Sequence, residues 1–213
     1  MKKYLYILFI FLYSCSNNFE LQEGDLLFQD LDSSPICEAI ELVTPGYNGA
    51  NFSHIGLIVS NHGELKVLEA IPPKVMLTKL NDFLTRSKDK EKNPKVIVGR
   101  LKDQYKNTIT EAIKFANKKI GVDYDKVFLM KNNSYYCSEL LYEAFAKDSI
   151  FQLQPMTFLH PDNGDTIQAW KDYYSNLRIK IPQNKPGINP GVMSLSDKIK
   201  IVHIYGMPNG MKK

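Results

Sequence analysis

The chain has 213 residues, 44% of them hydrophobic and 23% charged, the make-up of an ordinary globular protein of one domain with appendages. Its net charge of +4 is modest and not gathered into a stripe; the densest run, Lys88 to Lys95, mixes signs and contains Pro94. That run reads as a solvated loop, and no nucleic-acid partner is expected.

The first residues differ from the rest. Lys2 and Lys3 precede an almost wholly apolar stretch, Tyr4 to Tyr13, the pattern of a secretory signal. The stretch is too short to span a membrane, which needs roughly 20 apolar residues. Leu12-Tyr13-Ser14-Cys15 resembles a bacterial lipobox, although Tyr13 departs from the usual small or branched residue. On this reading residues 1–14 are removed, Cys15 carries lipid, residues 15–23 form a tether, and residues 24–213 form one domain held at a membrane of the cell envelope, on its periplasmic or outer-membrane face. The alternative is an ordinary cleaved signal with Cys15 incidental. Cys37 and Cys137 remain, and in an exported protein a disulfide between them is open; it would consume Cys137.

Gly24 to Gln29 is a turn leading into a short strand. Pro35 to Thr44 reads as a helix with Ile36, Ala39, Ile40 and Val43 on one face, broken by Pro45-Gly46. Phe52 to Val59 and Glu64 to Ala70 are β-rich runs flanking Asn61-His62-Gly63, a hairpin. Lys74 to Thr78 is a third strand, Lys79 to Arg86 a helix, and Lys95 to Leu101 a fourth strand. Gln104 to Ile120 reads as an amphipathic helix with Ile109, Ile113, Ala116 and Ile120 on its face. A Tyr- and Asp-containing linker, a helix from Cys137, a helix over Thr166 to Tyr174, a Pro/Gly-rich excursion from Pro182 to Pro190 and a last strand over Ile199 to Tyr205 complete the chain. This order predicts an α+β fold, a small antiparallel sheet with helices packed on one side.

The chemistry gathers around Asn133 to Ala146. Tyr135-Tyr136 deliver Cys137, and Leu140, Leu141, Ala144 and Phe145 then share one helical face. Glu139 and Glu143 suit the positive end of that helix's dipole. Free N–H groups and the dipole at a helix start favour a thiolate, the nucleophilic form of cysteine. The plainer reading is a buried small hydrophobe. Upstream, His54 opens a strand, and Glu69 lies within Val67-Leu68-Glu69-Ala70-Ile71, where an unpaired carboxylate is costly to bury. Counting outward from the hairpin turn brings His54 and Glu69 near each other. A thiolate, an imidazole and a group that orients the imidazole are what thiol-dependent acyl transfer requires, with helix-start N–H groups for the oxyanion. Cys, His and Glu also bind zinc, but no local ligand spacing supports a metal site, and no cofactor is expected.

GDLLF at Gly24 to Phe28, SHIGLIV at Ser53 to Val59, VLEAI at Val67 to Ile71 and YYCSELLYEAF at Tyr135 to Phe145 together resemble the permuted papain-like proteins of the NlpC superfamily, in their YiiX/YaeF-like group. In ordinary NlpC-type peptidases the cysteine helix precedes the GDL and histidine strands; here it follows them. The resemblance implies a permuted papain-like fold with Cys137 as nucleophile, His54 as base and Glu69 as orienting residue. It implies hydrolysis of amide or peptide bonds in small acyl-amino-acid or cell-wall peptide substrates. A lipid acyl hydrolase or acyltransferase on the same triad, or a non-catalytic binding lipoprotein, stays open. Ser53, Tyr124 and Tyr136 are read as cleft-lining, substrate-binding candidates, and Tyr135 more softly. Asp25 is read as structural, His62 as exposed, and His160 and His203 have no evident partner.

Overall fold

The computed structural model describes residues 19–212. Residues 1–14 and Cys15 lie outside them. The chain runs β1 (Leu26–Gln29), α1 (Pro35–Val43), β2 (His54–Asn61), β3 (Glu64–Ile71), β4 (Lys74–Lys79), α2 (Leu80–Leu84), β5 (Val96–Leu101), α3 (Ile109–Asn117), α4 (Cys137–Ala144), β6 (Gln154–Pro155), α5 (Gln168–Leu177), β7 (Pro186–Gly187), α6 (Pro190–Ser194) and β8 (Ile199–Ile204). It is the α+β architecture expected. Strands other than β6 and β7 form one sheet in the order β4-β3-β2-β1-β5-β8, every neighbouring pair antiparallel.

Central β1 is buried on both faces, which is why Leu26-Leu27-Phe28 reads as a continuous apolar run rather than an alternating one. Leu26, Phe28, Ile55, Leu57 and Leu68 face α3 and α4, which contribute Ala112, Ala116, Leu140 and Leu141. Leu27, Ile58, Val67, Val96 and Val98 face the other way and are closed by Phe83 of α2. The sheet is therefore covered on both faces, not on one. Each fully buried Leu or Phe here contributes about 1.5–3 kcal/mol.

The β2–β3 turn has His62 and Gly63 both at positive φ, the conformation of a two-residue hairpin loop. The helix expected over Gln104 to Ile120 divides instead into a 3₁₀ segment, Asp103–Thr108, and α3. α3 ends at Asn117 and a turn leads on to Gly121 at φ +91°, so Ile120 lies beyond the helix and is 43% exposed. A second cluster lies apart from the sheet: Ala39 of α1 against Phe158 and against Trp170 and Tyr174 of α5. Lys95, expected in a solvated loop, is buried and paired with Asp30 (3.0 Å) and Asp32 (2.5 Å). Asp25 is buried against Arg100 at 2.7 Å, a structural ion pair.

Candidate active site

Cys137 is the first residue of α4, with Tyr136 as an extended N-cap. N–H groups in a helix's first turn have no intrahelical acceptor and point outward. Apolar residues Leu140 and Leu141 anchor α4 on the sheet face that carries Leu57 and Leu68, and this sets where the helix start lies. His54 shares its strand face with Ile58, on the opposite side of the sheet. The two meet because His54 is the first residue of β2, at the rim of the sheet, and the Cys137 sulfur lies 4.0 Å from the Ser53 carbonyl oxygen.

The His54 ring is buried, with Nε2 2.6 Å from Glu69 Oε2. Cys137 lies near enough to the ring to act on its charge. Burial alone disfavours the imidazolium, but the hydrogen bonds and charges of Cys137 and Glu69 outweigh it, and the His54 pKa is raised to about 9. Glu69 is held from the other side by Arg86, with Nη1 at 2.8 Å from Oε2 and Nη2 at 2.5 Å from Oε1, and the Thr78 hydroxyl also donates to it. Burial works to raise the Glu69 pKa; Arg86 and His54 override it and hold it at about 2. Arg86, Glu69 and His54 thus form one chain of hydrogen bonds.

Arg86 and Thr78 have no motif to announce them. The available signal is chemical: a carboxylate set among apolar strand residues needs a cation, and the sequence holds only Arg86, Arg100 and Arg178 among its arginines.

Ser53, Tyr124, Tyr136 and Cys137 line one cleft of about 200 Å³. Its other walls are Ile40 and Val43 of α1, Trp170 of α5, and the β7–α6 segment around Ile188. Tyr124 is brought there because the linker docks on β4, with Val75 N–H donating to the Val122 carbonyl, and turns at Asp125, whose carboxylate accepts from the Val127 and Leu129 N–H groups. Tyr136 is fastened by the Ile188 N–H, which donates to its hydroxyl. Tyr135 does not reach this cleft; it packs on Phe115. Glu139 is not a solvated partner of the helix dipole but fully buried, and burial raises its pKa to about 7.

His62 is exposed in its turn, His160 lies 3.9 Å from Asp162, and His203 stacks on Phe19. Cys37 and Cys137 are both free thiols.

Residues 20–203 match the family described as "Permuted papain-like amidase enzyme, YaeF/YiiX, C92 family". The chain belongs to the permuted papain-like amidases. It is accordingly a cysteine amidase or peptidase, a hydrolase of amide bonds. A curated relative is the uncharacterized protein YiiX of Escherichia coli K12, 26% identical over 145 residues that cover 68% of this chain and 67% of YiiX. The crystal structure titled metalloprotein yiiX, from Escherichia coli O157:H7, superposes with a TM-score of 0.72 at 20% identity, covering 88% of this chain and 99% of that one, and so shares the fold. The metal in that title finds no donor set in this amidase: among the described residues no three His, Cys, Asp or Glu side chains come together as ligands.

Proposed function

We propose that this permuted papain-like amidase cleaves its amide substrate through Cys137, His54 and Glu69, and that its substrates are small acyl-amino acids or cell-wall peptides. The observation that carries the reading is the buried His54 ring, held by the Glu69 carboxylate, with the Cys137 sulfur against the carbonyl of the preceding residue, Ser53. A raised imidazolium pKa beside a helix-start sulfur favours the ion pair over the neutral pair. The thiolate attacks the acyl carbon, and first-turn N–H groups of α4 meet the developing oxyanion. His54 gives its proton to the departing nitrogen. Arg86 and Thr78 keep Glu69 ionised and aimed, so the ring holds one tautomer and one orientation.

The deciding measurement is thiol labelling against hydrolysis. Iodoacetamide should modify Cys137 faster than an ordinary thiol at neutral pH, and modification should stop release of amino acid from acyl-amino acids or short cell-wall peptides. Unchanged hydrolysis by the fully alkylated protein would remove Cys137 as nucleophile. Lipidation of Cys15 and attachment to a membrane of the cell envelope belong to the same proposal and rest on the signal pattern of residues 1–15.

A further inference from the structure

We infer that Lys95, Asp30 and Asn209 are positioning residues for the thiol chemistry: together they form a brace that fixes the Ser53-His54 segment against Cys137. The inference rests on the reading of Cys137 and His54 as nucleophile and base. It goes beyond that reading because all three residues act through Ser53 rather than at the reacting atoms.

The brace is built outward from Ser53. The Ser53 N–H donates to the Gln29 carbonyl at 3.2 Å. Its hydroxyl lies between the Leu31 N–H, 3.0 Å away, and the Leu31 carbonyl, 3.3 Å away. His54 itself is the register partner of Gln29. Gln29 and Leu31 thus hold Ser53 from either side of Asp30. Whatever fixes Asp30 therefore fixes the residue whose carbonyl meets the Cys137 sulfur.

Asp30 is held at main chain and side chain alike. Its N–H donates to the Lys95 carbonyl at 3.1 Å, its carboxylate pairs with the Lys95 ammonium at 3.0 Å, and the same carboxylate accepts the Asn209 N–H at 2.6 Å. The Asn209 carbonyl in turn accepts the Asn51 N–H at 2.8 Å, in the loop that enters β2. Residues 207–212 are strapped across that loop, with the Lys212 N–H donating to the Asn48 carbonyl at 3.0 Å. The strap lies so close that a methyl on Gly210 would stand 2.6 Å from the Gly49 carbonyl oxygen, and Gly210 itself holds φ +73°.

An ion pair is a demanding way to hold this corner. Asp30 and Lys95 are 0% and 2% exposed, and for stability alone a packed apolar pair serves as well as a buried charged one. What the charges add is direction: an ammonium held by Asp30 and by Asp32 admits one placement of the end of β1. Glu41 is buried beside them, and burial foremost raises its pKa to about 8. It is therefore uncharged at neutral pH and leaves Lys95 to the two aspartates.

The test reads the thiol directly, with iodoacetamide as the probe and mass spectrometry of the Cys137 and Cys37 peptides across pH. Gly210→Ala lifts the strap without changing any charge. Asp30→Asn keeps an acceptor for the Asn209 N–H while breaking the ion pair with Lys95. In both, alkylation of Cys137 at neutral pH should slow roughly tenfold, and its pH midpoint should move up toward the ordinary thiol value of about 8.5, while Cys37 reacts as in the parent protein. Either variant decides alone if the other fails to fold. Phe19→Ala, which removes the stacking on His203 at the β8 edge, should lower the melting temperature and leave the Cys137 profile in place. An unmoved Cys137 profile in Gly210→Ala and Asp30→Asn makes these residues merely structural and overturns the inference; so does an equal displacement in Phe19→Ala, since lost stability would then account for it. If Cys137 of the parent protein reacts no faster than Cys37, the hydrolase reading fails on its own. Hydrogen exchange of the Ser53 amide then decides the brace: faster exchange in either variant, with the remaining β2 amides unchanged, upholds it, and equal exchange overturns it.

Discussion

His54 and Glu69 are joined by a 2.6 Å contact although they are not opposite one another in the sheet. Leu57 pairs with Leu68, and one step further along that register Gly56 faces Glu69. The contact is diagonal, and it crosses the one position of β2 that has no side chain. A methyl at Gly56 would lie 2.3 Å from Val67 Cγ1 and 3.2 Å from Phe83 Cε2, and 3.7 Å from Glu69 Cβ. Gly56→Ala should therefore destabilise the protein by about 1–3 kcal/mol through overpacking and lower activity by displacing Glu69. Thermal unfolding and turnover check this, and adding Val67→Ala should recover part of both losses.

Cys137, His54 and Glu69 should behave as one unit. Cys137→Ala should abolish turnover. His54→Ala should lower kcat/KM by about 10²–10⁴-fold. Glu69→Gln keeps a hydrogen-bonding group beside the ring and should lose only about tenfold, about 1.4 kcal/mol of barrier. The double variant at Cys137 and His54 should be little worse than Cys137→Ala alone. Full turnover in His54→Ala would return the role of base to another histidine.

Arg86 is a positioning residue. Its guanidinium is only partly exposed while the Glu69 side chain is fully buried, so Arg86→Ala leaves a carboxylate with His54 as its remaining cation. Stability should fall by about 3 kcal/mol, as when one partner of a buried pair is removed. The Glu69 pKa should rise, and with it the lower pH limit of activity. Arg86→Lys restores the charge without the two-pronged geometry and should restore stability more than rate. A purely structural role would leave the pH profile where it was.

The pH dependence follows from His54. Its pKa is raised to about 9 in the folded protein, so pairing with Glu69 and Cys137 stabilises fully below the ordinary histidine value of about 6.5 and is lost as pH rises through about 9. Activity should fall over the same upper range, because the leaving nitrogen needs the imidazolium proton. Glu139 and Glu41 act in the same direction on stability: burial raises them to about 7 and about 8, so ionising them above their ordinary range weakens the fold. Melting temperature should decline from mildly acid pH toward pH 9, and Glu139→Gln should flatten part of that decline.

Mass spectrometry of the membrane-derived protein should find a first residue of Cys15 carrying lipid. A soluble species beginning at any other residue would remove the tether.

Much of this amidase is legible in its sequence. Strand periodicity, the Asn61-His62-Gly63 turn and the apolar face after Cys137 are local patterns, and a local pattern is enough to set a strand, a hairpin or a helix start. The diagonal from His54 to Glu69 was reachable because hairpin register can be counted from the turn. Arg86 beyond β4 was not reachable, because its aim at Glu69 depends on how α2 folds under the sheet. Nor were the cleft walls, which come from α1, α5 and the segment after β7 and meet only when the aromatic cluster around Trp170 docks on α1. The burial of Lys95 and Glu139 depends on the same long-range packing. Composition and spacing specify what each segment can do alone; desolvation and partner choice are set only when distant segments exclude water from one another.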